Sequence, residues 1–308
     1  MITGRAGIGV LWLLLAGLAL TVSAQENEPE ADQGAPHAME RRATALTGLG
    51  EWSLARQFPE RTVWLDLDDD SRALALFQPE LKTPARGALI VLADEGQTAA
   101  EGLAGGLLDT LAERGVAVMT LGLRPPPESV VRRRQQRLVP EPQEAAPPED
   151  DDPLQSSVMI DVAEEEALEE VMSDYRNAIR ELLDAAAGEL ERRGYERPAV
   201  SGIGWSADYV TAWALGQGAL SGVIWLAPRF SGDRLPELPA MLSADRPWRV
   251  LDLHAMDDAG RHPAVARAAA LAREQVSGYR RQPMALSTPP QRADAERVAS
   301  RIQAWMDR

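Results

Sequence analysis

The chain has 308 residues, 45% of them apolar, with 32 Lys and Arg against 47 Asp and Glu for a net charge of −15. The apolar share excludes wholesale disorder, and the acidic balance excludes a broad basic face for nucleic acid. The absence of Cys excludes disulfides, thiolate metal sites and a thiol nucleophile, and three His (His37, His254 and His262) leave little material for a metal centre.

Residues 1–24 read as a secretory signal peptide. Arg5 supplies the positive start, Gly9 to Val22 (GVLWLLLAGLALTV) the apolar run, and Val22-Ser23-Ala24 the small-residue cleavage site. The run is short for a membrane span, and no positive cluster follows it to stop transfer. The expectation is a periplasmic protein starting at Gln25, with no stable membrane insertion after cleavage. Residues 25–44 are expected to be a flexible N-terminal segment, and residues 45–308 a single α/β domain.

Within that domain, Ala43 to Phe58 predicts a first amphipathic helix. Arg61 to Leu67 and Arg72 to Phe77 alternate as strands around the turn cluster Asp68-Asp69-Asp70-Ser71. Gly87 to Ala93 (GALIVLA) is a continuous apolar run, as a strand buried on both faces requires. A helical period follows from Ala99 to Arg114, stopped by Gly115, and Val116 to Leu121 is a second buried strand. Strand, helix, strand in this order is the unit of a parallel sheet.

The order breaks at Arg124-Pro125-Pro126-Pro127. An acidic, Pro-rich insertion is expected at about 139–160, because Pro140 to Pro153 (PEPQEAAPPEDDDP) has too little apolar surface to order itself. A long helix is predicted over 161–193. Beyond it lie strands at 199–204, 222–226, 249–254 and 279–286, and helices at 206–216, 263–276 and 291–306.

Three constellations bear on chemistry. Asp66-x-Asp68-x-Asp70 begins like a calcium loop, but the positions needing Gly and a bidentate carboxylate hold Ser71 and Phe77, so no metal is expected. Gly202-x-Gly204 lacks the third Gly of a dinucleotide fingerprint, so no cofactor is expected either. Gly204-Trp205-Ser206 directly follows a strand and opens a helix, like the front half of the G-x-S-x-G elbow that exposes a nucleophilic Ser. That makes Ser206 the candidate nucleophile, with helix capping as its structural alternative. Leu251 to Asp258 (LDLHAMDD) ends a strand where a Ser, acid, His order places its acid; Asp257 or Asp258 could serve, and Asp257 is taken as the candidate partner. The loop after the last strand, Ser287-Thr288-Pro289-Pro290-Gln291, contains no His to act as base.

Several segments together resemble a known family: Val63 to Asp66 (VWLD), Leu89 to Gly96 (LIVLADEG), Gly115 to Leu121 (GVAVMTL), Gly202 to Gly204 (GIG), Pro247 to Leu253 (PWRVLDL) and Ser300 to Trp305 (SRIQAW). In order and spacing the chain is similar to the bacterial α/β-hydrolase-like domain-of-unknown-function family 3530. The resemblance implies an α/β-hydrolase-like three-layer sandwich, with a mostly parallel central sheet and helices on both faces, in an exported protein with no assigned reaction. Where a working hydrolase would carry His-Gly after its third strand, this chain has Glu95-Gly96. Two readings follow. One is an exported protein with a degenerate triad that binds an unidentified small molecule or protein. The alternative is a periplasmic esterase-like hydrolase, with Ser206 as nucleophile and an oxyanion hole of backbone N–H groups near Gly96 and Ala207.

Overall fold

The computed structural model describes residues 43–44, 49–68, 70–138, 154–232, 234–243 and 248–308. The expected signal peptide and residues 139–153 of the expected insertion lie outside the described residues, as does nearly all of the 25–44 segment. Residues 42–308 form one compact unit.

Its elements are, in chain order, β1 (Ala43–Thr44), α1 (Glu51–Gln57), β2 (Thr62–Asp66), β3 (Ser71–Gln78), β4 (Gly87–Glu95), α2 (Gly102–Ala112) and β5 (Val116–Leu123). Then come α3 (Glu128–Leu138), α4 (Leu154–Arg192), β6 (Ala199–Ile203), α5 (Ser206–Ala214), β7 (Gly222–Leu226) and α6 (Arg234–Ser243). The chain closes with β8 (Arg249–Ala255), α7 (Asp258–Arg273), β9 (Tyr279–Met284) and α8 (Ala295–Met306). The sheet order is β1-β3-β5-β4-β6-β7-β8-β9, with β2 antiparallel on β3. From β5 to β9 every neighbouring pair is parallel, while β3 meets β5 antiparallel.

The continuous apolar strands are buried on both faces, as expected, and their alternate residues feed two separate cores. On β4, Ala88, Ile90 and Leu92 face one helical layer, and Leu89, Val91 and Ala93 the other. The first layer contains Tyr175, Ile179, Leu183, Ala186 and Leu190 of α4, at the 3–4-residue spacing of one helix stripe, with Val210 and Trp213 of α5. The second contains Leu103, Leu107 and Leu111 of α2 and Val298, Ile302 and Trp305 of α8. This is the three-layer α/β-hydrolase-like sandwich that the resemblance implied.

Four departures have local causes. The first helix starts at Glu51 and not Ala43, because Gly50 adopts a left-handed φ of 72° and Ala43–Thr44 instead pair with Ser71 and Arg72 as β1. Helix α4 already begins at Leu154, so the end of the expected insertion is helical. Helix α7 begins five residues before Pro263, because Asp257 accepts a hydrogen bond from Gly260 N–H at 2.9 Å and caps it. Helices α3 and α6 were not expected. The first carries an arginine run instead of an apolar stripe, and the second has Pro239 in its interior.

Candidate functional site

The carboxyl ends of β4, β6, β8 and β9 meet at one edge of the sheet, where ligand sites of parallel sheets form. The turn from β6 to α5 is tight. A Cβ on Gly202 would lie 2.6 Å from the Cα of Ala207, so the helix start rests directly on the strand and excludes any side chain there.

The tip of this turn is Gly204, with a φ of +61°. Ser206, the sequence candidate for that tip, lies one step further on as the first residue of α5, and is completely buried. Its hydroxyl accepts from Ile203 N–H at 2.6 Å and lies 2.9 Å from the carbonyls of both Leu92 and Ile203. It therefore pins the turn to β4. Nor does it cap the helix, since that position belongs to Trp205.

The space above Gly204 holds the carboxylate of Asp94, into which a Cβ on Gly204 would collide. Asp94 Oδ1 accepts from Trp205 N–H at 2.9 Å and from Glu95 N–H at 3.0 Å. One donor follows the tip of the turn and the other comes from the end of β4. Hydrolases of this fold draw their oxyanion-stabilising N–H groups from these two places. The N–H groups of Gly96 and Ala207, the sequence candidates, are instead bonded to Leu123 O at 2.8 Å and Gly204 O at 3.4 Å. Burial raises the Asp94 carboxyl above its ordinary range, and the two N–H bonds and the charge of Arg229 oppose the rise.

Glu95, where His was absent from the motif, is fully engaged. Arg134 of α3 grips it at 2.6 and 3.1 Å, and Tyr209 O–H donates to it at 2.7 Å. The same guanidinium lies 3.9 Å from the ring centre of Trp205, so α3 is laid over the turn by a cation–π contact as well as an ion pair.

At the other end of the edge, Asp257 is exposed and accepts from the Thr288 hydroxyl at 2.9 Å. The Gly260 and Thr288 bonds hold its carboxyl below the ordinary range. Thr288 sits on the loop after β9, where chain order would place the base, and a threonine has no imidazole to take a proton. Asp257, Thr288, Arg229 and His254 line a cleft of about 100 Å³, and Ser206 is not among its walls. His254 is nearly buried, and its Nδ1, 4.0 Å from Asp252 Oδ1, makes no hydrogen bond among the described residues. Burial holds this imidazole below its ordinary range. His262 is exposed on α7, and His37 lies outside the described residues. Among the described residues no group of His, Asp and Glu is arranged to hold a metal ion, and no helix is long and apolar enough to cross a membrane.

Sequence reasoning missed Asp94, Arg134, Arg229 and Thr288. The visible signal was the spacing Gly202-x-Gly204-x-Ser206. It fits the elbow in two registers, and only packing chooses between them.

Among solved structures, the chain is similar to the esterase domain of a Rhodothermus marinus protein, with 13% identity and a TM-score of 0.49 over 79% of this chain and 96% of that one. It is also similar to a putative dienelactone hydrolase from Klebsiella pneumoniae, with 14% identity and a TM-score of 0.49 over 80% of this chain and 98% of that one. No curated protein matches the sequence. The family model described as "Protein of unknown function (DUF3530)" matches residues 8–308, and the chain belongs to that family.

Proposed function

We propose that this protein is an exported α/β-hydrolase-like protein that has lost its hydrolytic triad and binds a small molecule or protein partner at the carboxyl edge of its sheet. One observation carries the reading: the Asp94 carboxylate occupies the space that a side chain on Gly204 would need, and takes the N–H groups of Trp205 and Glu95. An acyl substrate would find neither a nucleophile at the tip nor free donors for its oxyanion. The alternative, with Ser206 as nucleophile, requires a hydroxyl held among three backbone groups to reach a substrate, and its burial counts against that. Asp257 keeps the position of a triad acid, but orients Thr288 instead of a base.

A fluorophosphonate probe and a simple ester test the loss of hydrolysis. We expect no stoichiometric labelling and no turnover above background. Labelling of Ser206 together with turnover abolished by Ser206→Ala would restore the hydrolase. Export rests on Met1 to Ala24, and the intact mass of the native protein should correspond to a chain starting at Gln25. Retention of residues 1–24 in a membrane fraction would contradict it.

A further inference from the structure

A second cleft, of about 230 Å³, opens between α4, α5 and the start of α6, and does not touch Asp94 or Asp257. Its charged walls are Arg176 and Arg180 of α4, Arg234 of α6 and Asp208 of α5; its apolar walls include Ile179 and Trp213. Three arginines and one aspartate line this cleft, in a chain whose net charge is −15.

The arginines are not equally engaged. Arg234 binds Asp208 at 2.9 Å and Glu237 at 3.3 Å, and Arg176 reaches along its own helix to Glu169 at 2.9 Å. Arg180 makes no hydrogen bond or ion pair among the described residues. It stands one helical turn from Arg176, a like-charge spacing that disfavours the helix by itself. The Asp208 side chain is only 13% exposed. Burial raises its carboxyl above the ordinary range, while the charges of Arg234, Arg176 and Arg134 pull it back. Arg234 and Arg176 are thus each paired with a carboxylate, and Arg180 is left with no acceptor among the described residues.

We propose that the cleft between α4, α5 and α6 binds a small organic anion, with a carboxylate or phosphate group on Arg180 and Arg176 and an apolar body against Ile179 and Trp213. The planar, forked guanidinium matches both anionic groups with paired hydrogen bonds. The volume suits a body of about one ring, since sites for larger ligands generally exceed about 300 Å³. This inference does not depend on the loss of hydrolysis argued above, because none of its residues belongs to the turn at Gly204 or to the cleft at Asp257.

Calorimetric titration of the full chain at low ionic strength tests it, with benzoate and phenyl phosphate as the two anion sources and benzamide as the neutral control. We expect saturable one-to-one binding of at least one of the two anions, and the stronger one identifies the group. Arg180→Gln should weaken that binding about tenfold or more, as losing a charge-assisted pair does. Arg180→Gln breaks no pair among the described residues, so its thermal midpoint without ligand should match the wild type. Asp257→Asn should leave the affinity unchanged. The proposal is overturned if neither anion binds saturably in the millimolar range. It is equally overturned if benzamide binds as tightly as benzoate, or if Arg180→Gln binds as well as the wild type.

Discussion

Asp94 Oδ1 lies 2.9 Å from the backbone nitrogen of Trp205, directly over the Cα position of Gly204. The acid end of β4 has thus closed the turn after β6 from above, and Gly204 is the residue that leaves room for it. A carboxylate in this place presents to the two N–H groups the same charge and shape that a developing oxyanion would.

The first consequence concerns Gly204→Ala. A φ of +61° is unfavourable for any residue with a Cβ, and costs about 1–3 kcal/mol before contacts are counted. The added methyl also strikes Asp94. In the Asp94→Ala background the collision disappears while the backbone strain stays, so the two substitutions should be strongly non-additive in denaturant unfolding. Simple additivity would show that the two residues do not share that space.

Ser206→Ala should destabilise the protein by about 1–3 kcal/mol, because Ile203 N–H loses its acceptor at a completely buried position. Background reactivity toward esters should not change. A variant as stable as the wild type would mean that the hydroxyl is not holding the turn.

The pH dependence of stability should carry the mark of Asp94. Its native carboxyl titrates above its unfolded value, so the native state binds that proton more tightly. Its stabilising contribution is therefore complete below the ordinary carboxylate range, and is lost as pH rises through the native value. Asp94→Asn removes the titration. Stability of the variant relative to the wild type should increase between acid and neutral pH, and parallel curves would rule the burial effect out. Asp257 shifts in the opposite direction. Thr288→Val should move its titration, followed by NMR, up toward the ordinary range, and no movement would exclude the hydroxyl as a cause.

Asp252 is completely buried on β8 and is gripped by Arg267 of α7 at 2.8 and 3.1 Å, with Tyr279 O–H donating at 2.8 Å. Arg267→Met leaves a buried carboxylate without its cation, and should cost about 3–5 kcal/mol. The double variant Arg267→Met with Asp252→Leu should recover a large part of that loss, since an apolar pair needs no charge compensation. A double variant no more stable than Arg267→Met would show that packing, not charge, sets the cost.

The sequence by itself determined the layering. Runs such as Gly87 to Ala93 and Val116 to Leu121 are apolar at every position, and a strand of that kind is stable only between two helical layers. It also carried the absence of His after the last strand and the position of Asp257 at the end of β8. Periodicity is a local property, so it is written in the chain. Helix α3 escaped because its arginines are ordered by distant partners, with Arg134 held by Glu95 and by the Trp205 ring. The register of the turn escaped for a related reason. Gly204 and Ser206 can each take two roles in the motif. The choice was made by the close packing of Ala207 on Gly202, and by a carboxylate 110 residues earlier that fills the space over Gly204. Local spacing names the residues that can form a site. Which of them faces solvent is decided only when separate strands bring their ends together.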